Sequence, residues 1–108
     1  MASAHPFVDG KRVLVLGLGE SGLSMAQWLA CHGARVRVAD SRAEPPGLGE
    51  LRATVKDADL RLGAFDEALL DDIQMLALSP GLSPKEPVVR QACARGIPVV
   101  GDIELFAR

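Results

Sequence analysis

The sequence has no tyrosine, and aromatic residues make up only 4% of it. The stacking platforms that single-stranded nucleic acid needs are therefore missing. Positive charge is not in excess either: 12 Lys and Arg stand against 14 Asp and Glu, a formal net charge of -2, and neither sign gathers into a run. No nucleic acid partner is expected. Only two cysteines occur, Cys31 and Cys93, with no C-x-x-C and no neighbouring His/Cys cluster, so neither a metal site nor a redox motif is expected. Both are expected to be small buried hydrophobes in a reduced compartment. The opening MASAHPFVDGKR lacks a basic segment leading into an apolar stretch, and no apolar run approaches membrane-spanning length. The expectation is a soluble, cytoplasmic chain that does not meet a membrane. Also missing are G-x-x-x-x-G-K-[ST], G-x-S-x-G and any assembled acid/base set, so no catalytic residue is expected. His5 sits in a ragged N-terminus, and His32 closes a helix where a cation suits the dipole. Phe7, Trp28, Phe65 and Phe106 are expected to pack rather than to touch a ligand.

What is present suits one packed domain. The 108 residues are 48% hydrophobic and 24% charged, ordinary values for a globular chain with a single core. Residues 1–12 are read as an N-terminal extension and 13–108 as the domain. Val13-Leu-Val-Leu16 is a short apolar run ending at Gly17, the pattern of a strand buried on both faces. From Ser21 the spacing turns helical, with Leu23, Ala26, Leu29 and Ala30 on one side and Gly33 as the stop, which predicts a helix over 21–32. A second strand begins at Arg35 and ends at Asp40, before the turn cluster Pro45-Pro46-Gly47. Weaker patterns predict a helix over 48–56, a strand over 59–62 and a short helix from Phe65. Ile73 to Leu78 reads as a strand running into Ser79-Pro80-Gly81. A helix over 87–95 stops at Gly96, and a last strand over 97–100 carries Pro98, which belongs at an edge or a strand start. Strands alternating with helices predict a Rossmann-like α/β fold: a five-stranded parallel sheet with helices on both faces.

In such a sheet the ligand sits beyond the carboxyl ends of the strands, where the strand order reverses. Three loops leave such ends: Gly17-Leu-Gly-Glu-Ser-Gly22, Asp40-Ser41-Arg42 and Ser79-Pro80-Gly81. The first is a complete G-x-G-x-x-G between a strand and a helix, with Gly17 for the turn, Gly19 for close backbone approach and Gly22 for helix packing. Its amides and the helix dipole suit a diphosphate. Ser21 is either a hydroxyl donor to that ligand or the helix N-cap. Glu20 would repel a phosphate, so its side chain should face solvent. Asp40 stands where a Rossmann protein places the acid that binds a ribose, which by itself suggests NAD. Arg42 is either poised for an anion or a base, or is a solvated charge near Glu44.

Gly17-Leu-Gly-Glu-Ser-Gly-Leu-Ser24, Asp40-Ser-Arg42 with Pro45-Pro-Gly47, Ser79-Pro-Gly81 and Gly101-Asp-Ile-Glu-Leu-Phe106, in that order, resemble the N-terminal domain of the bacterial Mur ligases. The resemblance covers nearly the whole chain from about residue 10 and is strongest to the members that add D-glutamate. It implies a domain holding the UDP end of UDP-N-acetylmuramoyl-L-alanine within an ATP-dependent amide ligase of peptidoglycan precursor synthesis. It further implies that Gly19, Glu20, Ser21 and Gly22 lie against the diphosphate, Asp40 and Ser41 meet the uracil edge, Arg42 flanks the base, and Ser79, Pro80 and Gly81 line the nucleotide side. No cofactor is implied in this domain. ATP and magnesium would belong to a central domain of the parent, a C-terminal domain would admit the amino acid, and the parent is expected to be a monomer. The apolar ending Ile103-Glu-Leu-Phe106 is read as a cut before a following domain. An NAD-binding Rossmann module and a sister ligase adding L-alanine remain the alternatives. Asp40 is expected to recognise the uridine as a buried acceptor whose removal weakens binding and leaves folding almost unchanged.

Overall fold

The computed structural model describes residues 8–107. Five strands lie in one parallel sheet in the order β3-β2-β1-β4-β5: β1 Arg12–Leu16, β2 Arg35–Asp40, β3 Asp59–Leu62, β4 Met75–Leu78 and β5 Val99–Gly101. Four α-helices accompany them, α1 Glu20–Cys31, α2 Leu48–Thr54, α3 Pro87–Ala94 and α4 Asp102–Phe106, with a single 3-10 turn at Glu67–Leu70. The chain builds outward from β1 through β2 to β3, then returns past β1 to make β4 and β5. The order therefore reverses between β1 and β4, and that is where two loops part to leave a crevice.

The unbroken apolar runs of the central strands follow from this layering, since both faces of the sheet are covered. Val13, Val15, Val36 and Val38 point to one face and pack with Met25, Ala26 and Leu29 of α1, Leu51 of α2 and Leu105 of α4. Leu14, Leu16, Ala39 and Leu76 point to the other and pack with Leu69, Leu70 and the Val88, Val89, Ala92 stripe of α3. Alternate residues of one strand thus feed two core layers. The predicted α/β sheet with helices on both faces is what forms.

The departures are local. The segment after Phe65 is a 3-10 turn in which the Asp66 carboxylate accepts from the Ala68 N–H at 3.0 Å, too short a stretch to become an α-helix. β4 starts at Met75, because Ile73 is used to close the preceding turn onto the Leu70 carbonyl. β5 starts after Pro98, which has no N–H to give a ladder, and lies at the sheet edge. The ending contains α4, whose start is closed by the Gly101 N–H donating to the Glu104 carboxylate at 3.1 Å, with no side chain on Gly101 to return the bond. Leu105 is fully buried while Ile103 is 82% exposed. His5 and Phe7 lie outside the described residues. His32 caps α1, with its Nδ1 2.7 Å from the Trp28 carbonyl and its ring stacked on Trp28, and Phe106 meets Trp28 edge-on.

The two cysteines contradict their expectation, since both Cys31 and Cys93 are exposed. Helical phase explains Cys31, which stands about 200° round the axis from buried Leu29. Cys93 lies only about 40° from buried Val89, yet it is exposed one residue from the end of α3.

Candidate functional site

The loops after β1, β2 and β4 meet in a cleft of about 380 Å³ lined by Gly17, Gly19 to Gly22, Asp40 to Arg42 and Ser79 to Leu82, with Phe65 at one side. All the residues singled out on the first, second and fourth strand ends are therefore brought together. Phe65 packs against the core layer of Leu14, Leu16 and Leu69 as expected, and also lines this cleft. Leu82 gave no signal of its own, because nothing in the sequence tells that the loop after Gly81 folds back.

Each glycine of the first loop has its own physical reason. Gly17 has φ +95°, a region that L side chains avoid, and its N–H donates to the Ala39 carbonyl at 2.7 Å as the chain leaves β1. A Cβ on Gly22 would lie 1.8 Å from the Gly17 carbonyl oxygen, so any side chain there would force the turn open. A Cβ on Gly19 would meet nothing within 4 Å and would project into open space. Gly19 is also the N-cap of α1, with no side chain closing the helix. Ser21 is therefore not the cap, because the helix begins at Glu20, ahead of it. The amides of Glu20, Ser21 and Gly22 have no acceptor among the described residues, and a helix start with unmet N–H groups attracts anions. The Glu20 side chain is exposed, as expected of a carboxylate beside an anion site.

Asp40 closes β2 and is 3% exposed. Its Oδ2 accepts from the Leu18 N–H at 2.8 Å, and its Oδ1 from the Arg42 N–H at 2.8 Å. The Arg42 guanidinium then reaches back in a fork, Nε to Oδ1 at 2.9 Å and Nη2 to Oδ2 at 2.8 Å. These bonds, those from the Arg42 side chain foremost, outweigh burial and hold the carboxyl down from 3.8 to about 2. Four donors are about as many as a carboxylate can accept. Asp40 is a buried acceptor as expected, yet its lone pairs are spent within the chain. Arg42 pairs with Asp40 rather than standing as a solvated charge near Glu44, and its side chain remains 54% exposed over the cleft. Ser41 is exposed beside them.

Ser79, at the end of β4, is 6% exposed. Its Oγ donates to the Gly17 carbonyl at 2.8 Å and its N–H to the Leu16 carbonyl at 3.1 Å. Pro80 and Gly81 are exposed on the rim. A larger groove of about 630 Å³ exists at the opposite edge of the sheet, around Arg12, Arg35, Arg37 and Lys56. It lies at the amino ends of the strands, where open α/β sheets do not place ligands, and its Arg37 is engaged by Asp59 and by the Leu69 and Asp71 carbonyls. Among the described residues no group of three His, Cys, Asp or Glu side chains could hold a metal, and no helix is long and apolar enough to cross a membrane.

An open parallel sheet with a glycine-rich first turn, an uncapped helix start and a cleft at the strand-order reversal defines a Rossmann-like α/β domain. Solved structures agree on the fold: shikimate dehydrogenase from Aquifex aeolicus aligns over 92% of this chain and 45% of its own, with a TM-score of 0.61 at 16% identity. A UDP-N-acetylmuramate:L-alanyl-gamma-D-glutamyl-meso-diaminopimelate ligase from Neisseria meningitides aligns over 86% of this chain and 29% of its own, also with a TM-score of 0.61, at 21% identity. The chain belongs to the Mur ligase family: residues 11–101 match the MurD-like N-terminal domain. A UDP-N-acetylmuramoylalanine--D-glutamate ligase from Aromatoleum aromaticum is 52% identical over 101 residues, covering 94% of this chain. The chain spans about a fifth of the length of such relatives, 22% of that one and 20% of another from Cupriavidus metallidurans.

Proposed function

We propose that this domain holds the uridine diphosphate end of UDP-N-acetylmuramoyl-L-alanine for a cytoplasmic, monomeric ligase that adds D-glutamate with ATP and magnesium. The observation that carries this reading is the meeting of the Gly17–Gly22 turn, Asp40-Ser41-Arg42 and Ser79-Pro80-Gly81 in one cleft of a chain from the D-glutamate-adding branch of the family. The unmet amides of Glu20 to Gly22 receive the diphosphate, with Gly19 giving the room a side chain would fill. Asp40 and Ser41 take the uracil edge. Because Asp40 is saturated by its own chain, Arg42 must release the carboxylate as the base enters, and its planar guanidinium is then free to lie along the base. Pro80 and Gly81 line the far side. Magnesium and ATP do not suit the residues present: the sequence has no P-loop lysine, and among the described residues no cluster of carboxylates forms. The ATP-consuming step is assigned to the parent outside this chain.

An NAD-binding role is the rival, since Asp40 occupies the ribose-binding position. Against it stands the match of the chain to the D-glutamate-adding ligases, since the Arg42 fork covers the Asp40 oxygens equally for a ribose and for a uracil. Titration with UDP, UDP-N-acetylmuramoyl-L-alanine and NAD, followed at the amides of Gly19 to Gly22 by NMR, decides between them. The uridine ligands are expected to shift those amides at lower concentration than NAD; the reverse order overturns the proposal.

A further inference from the structure

Among the described residues only two polar side chains are buried, Asp40 and Ser79. They come from opposite sides of β1, one from the end of β2 and one from the end of β4. Asp40 Oδ2 accepts from the Leu18 N–H at 2.8 Å, and Ser79 Oγ donates to the Gly17 carbonyl at 2.8 Å. That carbonyl and that N–H belong to one peptide group, which is rigid and planar.

We propose that Ser79 and Asp40 form a clamp on the Gly17–Leu18 peptide, with Ser79 as a positioning residue that sets the glycine-rich turn and does not itself touch ligand. This rests on the reading of the cleft as a diphosphate site. Gly17 can rotate through conformations closed to other residues, so its peptide needs holding from outside. Its carbonyl has no other donor among the described residues. The same oxygen is the atom that a Cβ on Gly22 would strike, so its direction fixes how closely the first turn of α1 folds over the loop. A serine hydroxyl has one proton to donate, and here the Gly17 carbonyl takes it.

The test is the backbone amide of Leu18, which Ser79 does not contact. In Ser79→Ala, hydrogen exchange measured by NMR should speed up at Leu18 by about tenfold, the scale of one buried acceptor left unmet, and UDP should bind about tenfold more weakly while uridine binds as before. Ser79→Thr, which keeps the hydroxyl, should restore protection at Leu18. Should Ser79→Ala not fold, Ser79→Cys, with its weak S–H donor, is judged by the same readings. Unchanged exchange at Leu18 overturns the clamp, and if UDP binding falls all the same, Ser79 touches the ligand directly. If the unsubstituted protein binds no UDP, the reading of the cleft fails, and the exchange comparison still decides the clamp.

Discussion

The amino and carboxyl ends of the same parallel strands carry clefts of different character, about 630 Å³ at the amino ends and about 380 Å³ at the carboxyl ends. At the amino edge, Arg12 and Asp72 meet in an exposed pair, 3.5 Å apart with side chains 46% and 74% exposed, and Asp59 serves both the largely buried Arg37 and the exposed Arg61. At the carboxyl edge, the buried side chains of Asp40 and Ser79 hold backbone, while the helix-start amides have no acceptor among the described residues. Volume alone does not make a ligand site. Backbone donors that converge and are fixed in place by buried side chains do, because they need no rearrangement when an anion arrives.

The comparison is broken most severely at the first loop. Gly22→Ala should destabilise the domain by about 3 kcal/mol, as overpacking against a fixed carbonyl does, and should abolish UDP binding; Gly19→Ala, projecting into open space, should change stability by no more than about 1 kcal/mol yet still weaken UDP. Urea unfolding of the pair separates loop integrity from ligand room. Equal stability losses would show that the turn is not built as described.

Asp40→Ala should come next, at about 1.5–3 kcal/mol of stability, because it strands the buried Leu18 N–H. This reverses the expectation that folding would hardly notice the change. The pH dependence has a definite sign. The folded carboxyl is held at about 2, below its ordinary 3.8, so its contribution is complete above about pH 4 and is lost as pH falls toward 2. With Arg42 half exposed, solvent screening limits that contribution to about 1–2 kcal/mol. The stability difference between the native chain and Asp40→Ala, read from unfolding curves, should narrow as pH falls from 6 to 2. An unchanged difference would remove the ion pair from the account.

The smallest effect belongs to the amino edge, where Arg12→Ala should change stability by no more than about 0.5 kcal/mol, the usual worth of an exposed pair, and leave UDP titrations unaltered. A loss of UDP binding there would erase the distinction between the edges.

Much of the architecture was legible because the relevant signals are local. Apolar runs that end at glycine or at Asp40, a helical stripe on α1 and Gly33 and Gly96 at positive φ all act within a few residues. Even the weak strand over 59–62 forms where its pattern placed it. The exposure of Cys31 and Cys93 was not legible because residue type sets burial only on average, whereas the position on the helix, its phase for Cys31 and its end for Cys93, decides it.

By itself, then, the sequence determined the alternation of strands and helices, the loop that bears the glycines and, through that ordered set of motifs, the family. Tertiary structure alone decided that Asp40 and Ser79, 39 residues apart, grip one peptide group. The physical reason is range: strand and turn preferences are set by neighbouring residues, but which buried oxygen finds which N–H depends on strands β2 and β4 flanking β1, an order that no local pattern contains.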